Sequence, residues 1–523
     1  MTLGDLLLAS ARNVPQKTAL VMAGRALTFA SWNERANRVA NALLGLGLGA
    51  GDRVSIYLSN CLEWAEAYFG VTKSGGIVAP VNAWFREKEL GVVLRHAEPR
   101  FVITERALLG YVRKVRENVA SIAQAVIVDE PRAAPLTRGE LDYRGLLEAA
   151  SAAEPGVPLS EQDVQAIVYT SGTTGAPKGT VLTHLNQLLA GFYILMHEWG
   201  LRHEDVFLAA APFCFRTGLH RLHLCAGLGG TTHYLERFEA RQMLKVAAEE
   251  RVTALGVVPT MLHKLLDVLE SEPYDLQALR VVFSTSAPLP QADKERLLTL
   301  FPHVELNEYY AATEGGIISN LKPCDQLRKL NCVGKPALGM QVRLLDDMGR
   351  DAPQGETGEI AVSSGPGGGP LVFREYFRNP QATAAAMRGD WYLSGDLGRF
   401  DEDGYLYVMG RKKDMIISGG VNIFPRDIEE HLCTHPSVRE AAVVGVPDAQ
   451  WGEIVTAVVA LQSGVQVGEE DLIAYCKDAL ASYKKPRRVL FCEELPKNAN
   501  GKIMKDELRQ SIVGAARAER RGG

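Results

Sequence analysis

Ala166-Ile167-Val168-Tyr169-Thr170-Ser171-Gly172-Thr173-Thr174-Gly175-Ala176-Pro177-Lys178-Gly179-Thr180 is the stretch on which the rest of this chain is organised. An apolar strand, Ala166 to Tyr169, runs into a loop of Thr170, Ser171, Gly172, Thr173, Thr174 and Gly175, with Lys178 just beyond. Two glycines let the backbone turn and approach a ligand closely, while four hydroxyls and free N–H groups present donors. Lys178 adds a positive charge. A polyphosphate needs all of these. The spacing is not that of a Walker A loop, because Pro177 stands five residues after Gly172, where that motif requires a second glycine followed by lysine. A plain Ser/Thr/Gly turn is the bland alternative.

The surrounding composition narrows the function classes. With 523 residues the chain is too long for one simple core, and two or three domains are expected. A net charge of −5 leaves no basic footprint for nucleic acid. Eight cysteines without a C-x-x-C pair suit a reducing cytosol better than a disulfide framework, so a cytoplasmic location is expected. Met1 to Asn13 lacks a basic n-region and reads as a short amphipathic helix, not a signal peptide. No run of 18 apolar residues is present, so no transmembrane segment is expected.

Residues 15 to 130 alternate helix-like and strand-like runs: Thr28 to Leu46, Val54 to Leu58, Leu62 to Lys73, Gly76 to Val81 and Phe101 to Thr104. This alternation predicts an α/β fold with a largely parallel sheet. Residues 131 to 160, rich in Ala, Pro and Glu, read as a surface connection, and Asn186 to His197 as one helix. Three strand-then-turn units follow, Ala254 to Pro259, Val281 to Pro288 and Val304 to Tyr310. Ligands collect at the carboxyl ends of such strands. From Gln341 short β-runs with tight turns predict a small antiparallel subdomain. The last 110 residues have βα content of their own. The expected architecture is a large N-terminal domain of layered α/β subdomains plus the small antiparallel subdomain, residues 1–412, and a small mobile C-terminal α+β domain, residues 413–523.

Cys214, His220, His223 and Cys225 lie within twelve residues and suggest a metal. Zinc sites favour tighter cysteine pairs and a closed set of four ligands, whereas a buried cysteine commonly behaves as a small hydrophobe. A metal is therefore not expected there.

The phosphate-type loop, together with Tyr309-Tyr310-Ala311-Ala312-Thr313-Glu314, Ser394-Gly395-Asp396, Gly410-Arg411-Lys412-Lys413-Asp414 and Pro496-Lys497-Asn498-Ala499-Asn500-Gly501-Lys502, resembles the adenylate-forming superfamily. That superfamily contains acyl- and aryl-CoA synthetases, peptide-synthetase adenylation domains and beetle luciferases, and the resemblance covers nearly the whole chain. It implies ATP binding by Thr170, Ser171, Gly172, Thr173, Thr174, Gly175 and Lys178, with Ser286, Ala287 and Pro288 bordering the adenine. Tyr310 would give the adenine a flat face, and Thr313 would give the α-phosphate a hydroxyl. Glu314, with Thr170, would hold Mg²⁺, a cation that favours carboxylate and phosphate oxygens. Asp396 would chelate the ribose hydroxyls with the help of Arg411; Lys413 would be the hinge, and Lys502 the catalytic lysine.

The acyl pocket is expected around Phe215, Arg216, Tyr309, Ala311 and Gly316. Phe215 departs from the family pattern Pro-x-x-His-x-x-Gly by standing where the histidine would be, which puts the usual gating role in doubt. Arg216 has two readings, a binder of a polar or anionic tail and a surface arginine at a helix start. Gly419 and Gly420 resemble the loop that meets the pantetheine arm of CoA. Tyr483, Lys485 and Arg487 match positions that stack on and neutralise its nucleotide end, with a solvated charge run as the alternative.

The function implied is that of an AMP-forming acid–thiol ligase: a carboxylic acid and ATP give acyl-adenylate and pyrophosphate, and CoA then displaces AMP. Loading of a carrier-protein phosphopantetheine is the runner-up. A non-catalytic acyl or nucleotide sensor is disfavoured, since Lys502, Glu314 and Asp396 are all present. The acid itself is not identified, and the oligomeric state stays open between monomer and homodimer.

Overall fold

The structure, a computed structural model, describes residues 1–128, 136–170, 177–497 and 503–522, with side chains to residue 514 in the last helix. It divides into two compact units, Met1–Val342 with Val362–Tyr392, and Arg343–Ala361 with Leu393–Gly523.

Two sheets build the first unit. One runs in the order Lys335–Pro336, Gly316–Leu321, Glu305–Ala312, Val281–Ser284, Ala254–Val257, Val206–Ala209, Thr231–Tyr234, Thr18–Met22, Arg25–Thr28. The other runs Glu375–Tyr376, Lys178–Thr183, Val164–Thr170, Ile77–Pro80, Arg53–Tyr57, Phe101–Glu105, Gln124–Val128, Glu140–Asp142. Their central pairings are parallel; both ends of the longer sheet and the Glu375–Tyr376 end of the other are antiparallel, whereas the Glu140–Asp142 end is parallel. The central strands Ala254–Val257 and Val281–Ser284 are wholly buried, as parallel strands covered on both faces must be. Leu208, Val257, Leu266, Val282 and Leu306 belong to one apolar core that closes over the longer sheet.

The helices Phe29–Gly45 and Leu62–Lys73 pack face to face, with Trp32 meeting Phe69 edge-on at 5.0 Å. Their approach is so close that a Cβ at Gly70 would lie 2.4 Å from Val39 Cβ and 2.9 Å from the Ala36 carbonyl.

One expectation is corrected and one is refined. Residues 131–160 are not only a connection, because Glu140–Asp142 forms an edge strand and Tyr143–Ala149 a helix capped by Asp142. The helical run expected over residues 186–197 is present and takes in a π-helical turn, Leu189–Tyr193. Its Gly191 presses against two histidines, where a Cβ would lie 2.4 Å from His223 Nδ1.

The second unit carries most of an antiparallel sheet, Gln341–Leu345, Gly358–Ser363, Trp391–Phe400 and Leu406–Arg411, matching the small antiparallel subdomain expected. It also holds the sheet Val421–Ile423, Ile416–Ser418, Gly452–Leu461, Val438–Asp448, with Arg488–Cys492 alongside Gly452–Leu461. Among the described residues no helix is long and apolar enough to cross a membrane.

Gly70→Ala is expected to destabilise the protein by about 1–3 kcal/mol, since neither Val39 nor the Ala36 carbonyl can move without the helix that carries it. Urea unfolding followed by tryptophan fluorescence measures this; a change below about 0.5 kcal/mol would show the interhelical contact to be looser than the structure has it.

Candidate active site

The strands Val164–Thr170 and Lys178–Thr183 form an antiparallel pair in which Thr170 stands opposite Lys178. Both residues are half-buried at the open end of the pair. Ser171, Gly172, Thr173, Thr174 and Gly175, between them, lie outside the described residues. Lys178 directs its ammonium over the ring of Tyr376, 4.9 Å from the centroid. Tyr376 belongs to a two-residue strand paired with Lys178–Thr183, is buried, and donates its hydroxyl to Glu314 Oε1 at 2.9 Å. The Phe373 N–H holds the Glu314 carbonyl at 2.7 Å. A single tyrosine therefore connects the lysine of one sheet with the glutamate of the other. Nothing in the sequence around Tyr376 marks it, because its partners are distant in the chain and its strand is too short to show a pattern.

Thr313 and Glu314 occupy the turn between the antiparallel strands Glu305–Ala312 and Gly316–Leu321, whose register shifts between Tyr310 and Ala311. The shift leaves Ala311 exposed and Tyr310, Thr313 and Glu314 half-buried. Glu314 has a neutral hydroxyl donor and no ion-pair partner among the described residues. Its carboxylate, with the Thr170 hydroxyl, is the hard-oxygen set that suits a magnesium ion. Gly316, at φ +68°, is buried; a Cβ there would lie 2.8 Å from the Leu371 carbonyl, so the space a side chain would use is filled by backbone. At the neighbouring strand end, Ser286 takes a left-handed φ of 79°, and Ser286, Ala287 and Pro288 are exposed. The Thr285 hydroxyl donates to the Tyr309 carbonyl at 3.3 Å, tying this turn to the next strand.

Phe215 is the N-cap residue of the helix Arg216–Leu228 and is half-buried. Arg216 is buried, at 6% exposure, which removes the reading of a surface arginine. Its Nη1 donates to the carbonyls of Ala312, at 3.2 Å, and Thr313. Burial lowers its pKa to about 10, opposed by the charge of Glu314, so the guanidinium remains a cation at neutral pH. On the same helix His220 is pushed well down by burial and by the Arg216 charge, and His223 falls by burial to about 3. His223 Nε2 meets the Tyr68 hydroxyl at 2.7 Å, and Cys225 donates its thiol to the Ala19 carbonyl at 3.0 Å. Arg221 stacks 4.1 Å from the Phe283 ring centroid and reaches the hydroxyl of the buried Tyr309 at 3.4 Å.

In the second unit Asp396 and Arg411 face each other across a strand pair, with Arg411 Nε 2.8 Å from Asp396 Oδ1. Arg411 Nη1 also donates to the Ser394 carbonyl at 3.0 Å, and the Asp396 N–H to the Ser394 hydroxyl at 3.1 Å. Lys413 sits in a short 3₁₀ turn and pairs with Asp506 at 2.6 Å, both side chains largely exposed. Gly419 and Gly420 are the two residues of a tight hairpin turn, with φ +58° and +80°, which glycine accommodates best. Gly419 packs on Trp451, where a Cβ would come within 2.8 Å of the indole, and its N–H bonds the Trp451 carbonyl at 2.9 Å. Arg487 lies 4.1 Å over the same indole. Trp451 was not singled out by sequence, yet it joins the glycine turn to Arg487. Tyr483 is 49% exposed and Lys485 half-buried, both at the start of the segment that leads into Arg488–Cys492. Lys502 lies outside the described residues. Its flanks are anchored: Lys497 bridges to Ile503, and Lys505 pairs with Glu429 at 2.6 Å.

Two family models match this chain, one described as AMP-binding enzyme over residues 7–377 and one as AMP-binding enzyme C-terminal domain over residues 427–502. A feruloyl-CoA synthase from Amycolatopsis is 35% identical over 512 residues, covering 97% of this chain and 98% of that protein. The long-chain-fatty-acid–CoA ligase FadD13 of Mycobacterium tuberculosis is 33% identical over 493 residues, covering 92% of this chain and 93% of its own length. Among solved structures, ATP-bound MatB from Rhodopseudomonas palustris is similar with a TM-score of 0.87 at 30% identity, over 98% of this chain and 99% of that one. The chain belongs to the AMP-binding enzyme family, the adenylate-forming superfamily, as one of its acyl- and aryl-CoA ligases.

Proposed function

We propose that this ligase works in two half-reactions through the residues described above. The observation that carries the reading is the contact chain Lys178–Tyr376–Glu314, which brings a cation from the phosphate-loop strand to the carboxylate of the Thr-Glu turn. In the first half-reaction a carboxylate oxygen attacks the α-phosphorus of ATP, the bond to the bridging oxygen breaks, and pyrophosphate leaves. In the second the sulfur of CoA attacks the acyl carbon, AMP leaves, and the thiol proton passes to solvent. The first step sets two anions against each other, so its catalysis is mainly positional and electrostatic. No side-chain nucleophile is required.

Lys178 neutralises charge on the leaving pyrophosphate, and Thr313 offers its hydroxyl to the α-phosphate. Tyr376 holds Glu314 by its hydroxyl and Lys178 by its ring. A magnesium ion bound by Glu314 and Thr170 would supply charge neutralisation to the phosphate oxygens. Asp396, oriented by Arg411, accepts hydrogen bonds from the ribose hydroxyls. Lys502 bridges the acid and the α-phosphate in the first half-reaction and is withdrawn in the second. Lys413 is the hinge between the catalytic body, residues 1–412, and a mobile domain, residues 413–523. The turn Gly419–Gly420, Tyr483, Lys485 and Arg487 receive CoA, with Trp451 supporting the turn.

Pyrophosphate release with ATP and Mg²⁺ across short, long, aromatic and dicarboxylic acids, with and without CoA, tests the reading. Turnover that depends on free CoA supports it. Adenylate formed without CoA turnover would transfer the second step to a carrier-protein pantetheine, and no release with any acid would remove the ligase assignment.

Three variants address single roles. Lys502→Ala is expected to lower acid-dependent ATP–pyrophosphate exchange by about 10²-fold or more while leaving CoA-ester formation from supplied acyl-adenylate nearly unchanged. Equal loss of both half-reactions would contradict the role. Lys413→Pro is expected to spare exchange and slow thioester formation; undiminished thioester formation would dismiss the hinge. Tyr376→Phe keeps the ring under Lys178 but removes the bond to Glu314, and is expected to cost about tenfold or more in exchange with the Mg²⁺ requirement shifted upward. An unaltered Mg²⁺ titration would make Tyr376 a packing residue only.

A further inference from the structure

We propose that the acid this enzyme activates carries a second anionic group, in the simplest case a distal carboxylate, and that Arg216 binds it as the specificity residue of the acyl pocket. The inference rests on the ligase reading above and names its substrate class.

Arg216 is a buried cation whose hydrogen bonding is half complete. Nη1 is committed to the carbonyls of Ala312 and Thr313, whereas Nε and Nη2 are buried without a hydrogen-bond partner among the described residues. No described carboxylate lies within ion-pair distance of it, and Glu314, which acts on it through space, gives Oε1 to Tyr376 instead. His220, one helical turn on, is held neutral by burial and supplies no negative charge. Native proteins pair buried charges, and a guanidinium left without its anion is strongly disfavoured.

The open edge has a definite shape. Nε–H and Nη2–H point the same way from the planar guanidinium and match the two oxygens of one carboxylate. The Nη1 bonds keep the plane from turning away. An aliphatic tail laid against this edge would leave two buried donors unsatisfied, and sites built to hydrogen-bond a substrate group reject analogues lacking that group strongly. The reacting carboxylate is the poorer candidate for this clamp. A bidentate grip on it would stabilise the ground state and occupy the lone pairs needed for attack on phosphorus.

The test is acid-dependent ATP–pyrophosphate exchange by the full chain with matched acids. The set comprises the diacids malonate to adipate, each with its monomethyl ester and its monoacid of equal chain length, plus benzoate and phthalate. Wild type, Arg216→Met and Arg216→Lys are compared. At least one diacid should exceed both its half-ester and its monoacid by about 10²-fold in kcat/KM. Arg216→Met should erase that ratio, mainly through KM for the diacid and with KM for ATP unchanged, and Arg216→Lys should restore part of it. Wild-type preference for monoacids or half-esters would overturn the proposal while leaving the ligase reading intact. Equal losses with mono- and diacids in Arg216→Met would also overturn it, by assigning Arg216 to the reacting carboxylate or to packing. Should Arg216→Met fail to fold, the wild-type comparison of diacid with half-ester decides alone. Exchange with no acid at all would remove the ligase reading and this proposal together, an outcome distinct from monoacid preference.

Discussion

A phenol held between a lysine and a glutamate is the contact on which the catalytic end of the first unit depends. Lys178 and Glu314 come from different sheets, and neither sheet alone specifies how far apart they stand. Tyr376 sets that separation by two interactions of different kinds, a hydroxyl bond to the carboxylate and a ring face under the ammonium. The arrangement leaves the Glu314 carboxylate with a neutral donor and without an ion-pair partner among the described residues. A direct Lys178–Glu314 salt bridge would have spent both charges on each other.

The second unit solves a related problem with backbone. Two left-handed glycines make the turn, the first of them, Gly419, packed so close to an indole that a Cβ would clash, and Arg487 covers that same indole. Asp396 is aligned by strand register opposite Arg411, and the ion pair between them fixes the orientation of the carboxylate. These are preorganised groups on regular structure, and the positions around them tolerate little movement.

The helix Arg216–Leu228 shows how misleading a residue list can be without packing. Its cysteine and its histidines are engaged apart from one another: Cys225 bonds the Ala19 carbonyl, whereas His223 meets the Tyr68 hydroxyl and lies beside His220. Arg216, which the sequence leaves undecided between surface and site, keeps two buried nitrogens without a hydrogen-bond partner among the described residues, while His220, Arg221 and His223 keep one each. Three of its neighbours along the helix, His220, Arg221 and His223, are buried as well, so this face of the helix is polar in an interior position. Interior polarity of this kind is costly unless a ligand or a specific network uses it.

Much of this protein was legible in its residues. Many strands show as short apolar runs and helices as 3.6-residue periodicity, and the α/β layering follows from their alternation. The Thr-Glu turn, Asp396 and Arg411 were visible because they lie in short contiguous motifs that resemble those of the adenylate-forming superfamily. Tyr376, Trp451 and the burial of Arg216 were not, since each is defined by partners tens to hundreds of residues away. The π-helical turn at Leu189–Tyr193 was hidden as well; its Gly191 lies against histidines of another helix. The sequence by itself determined the reaction class, because the motifs that resemble the adenylate-forming superfamily are short contiguous runs that need no tertiary partner to be read. Only the tertiary structure decided which charges are spent on one another and which remain for a ligand, because burial and pairing depend on what the fold brings alongside.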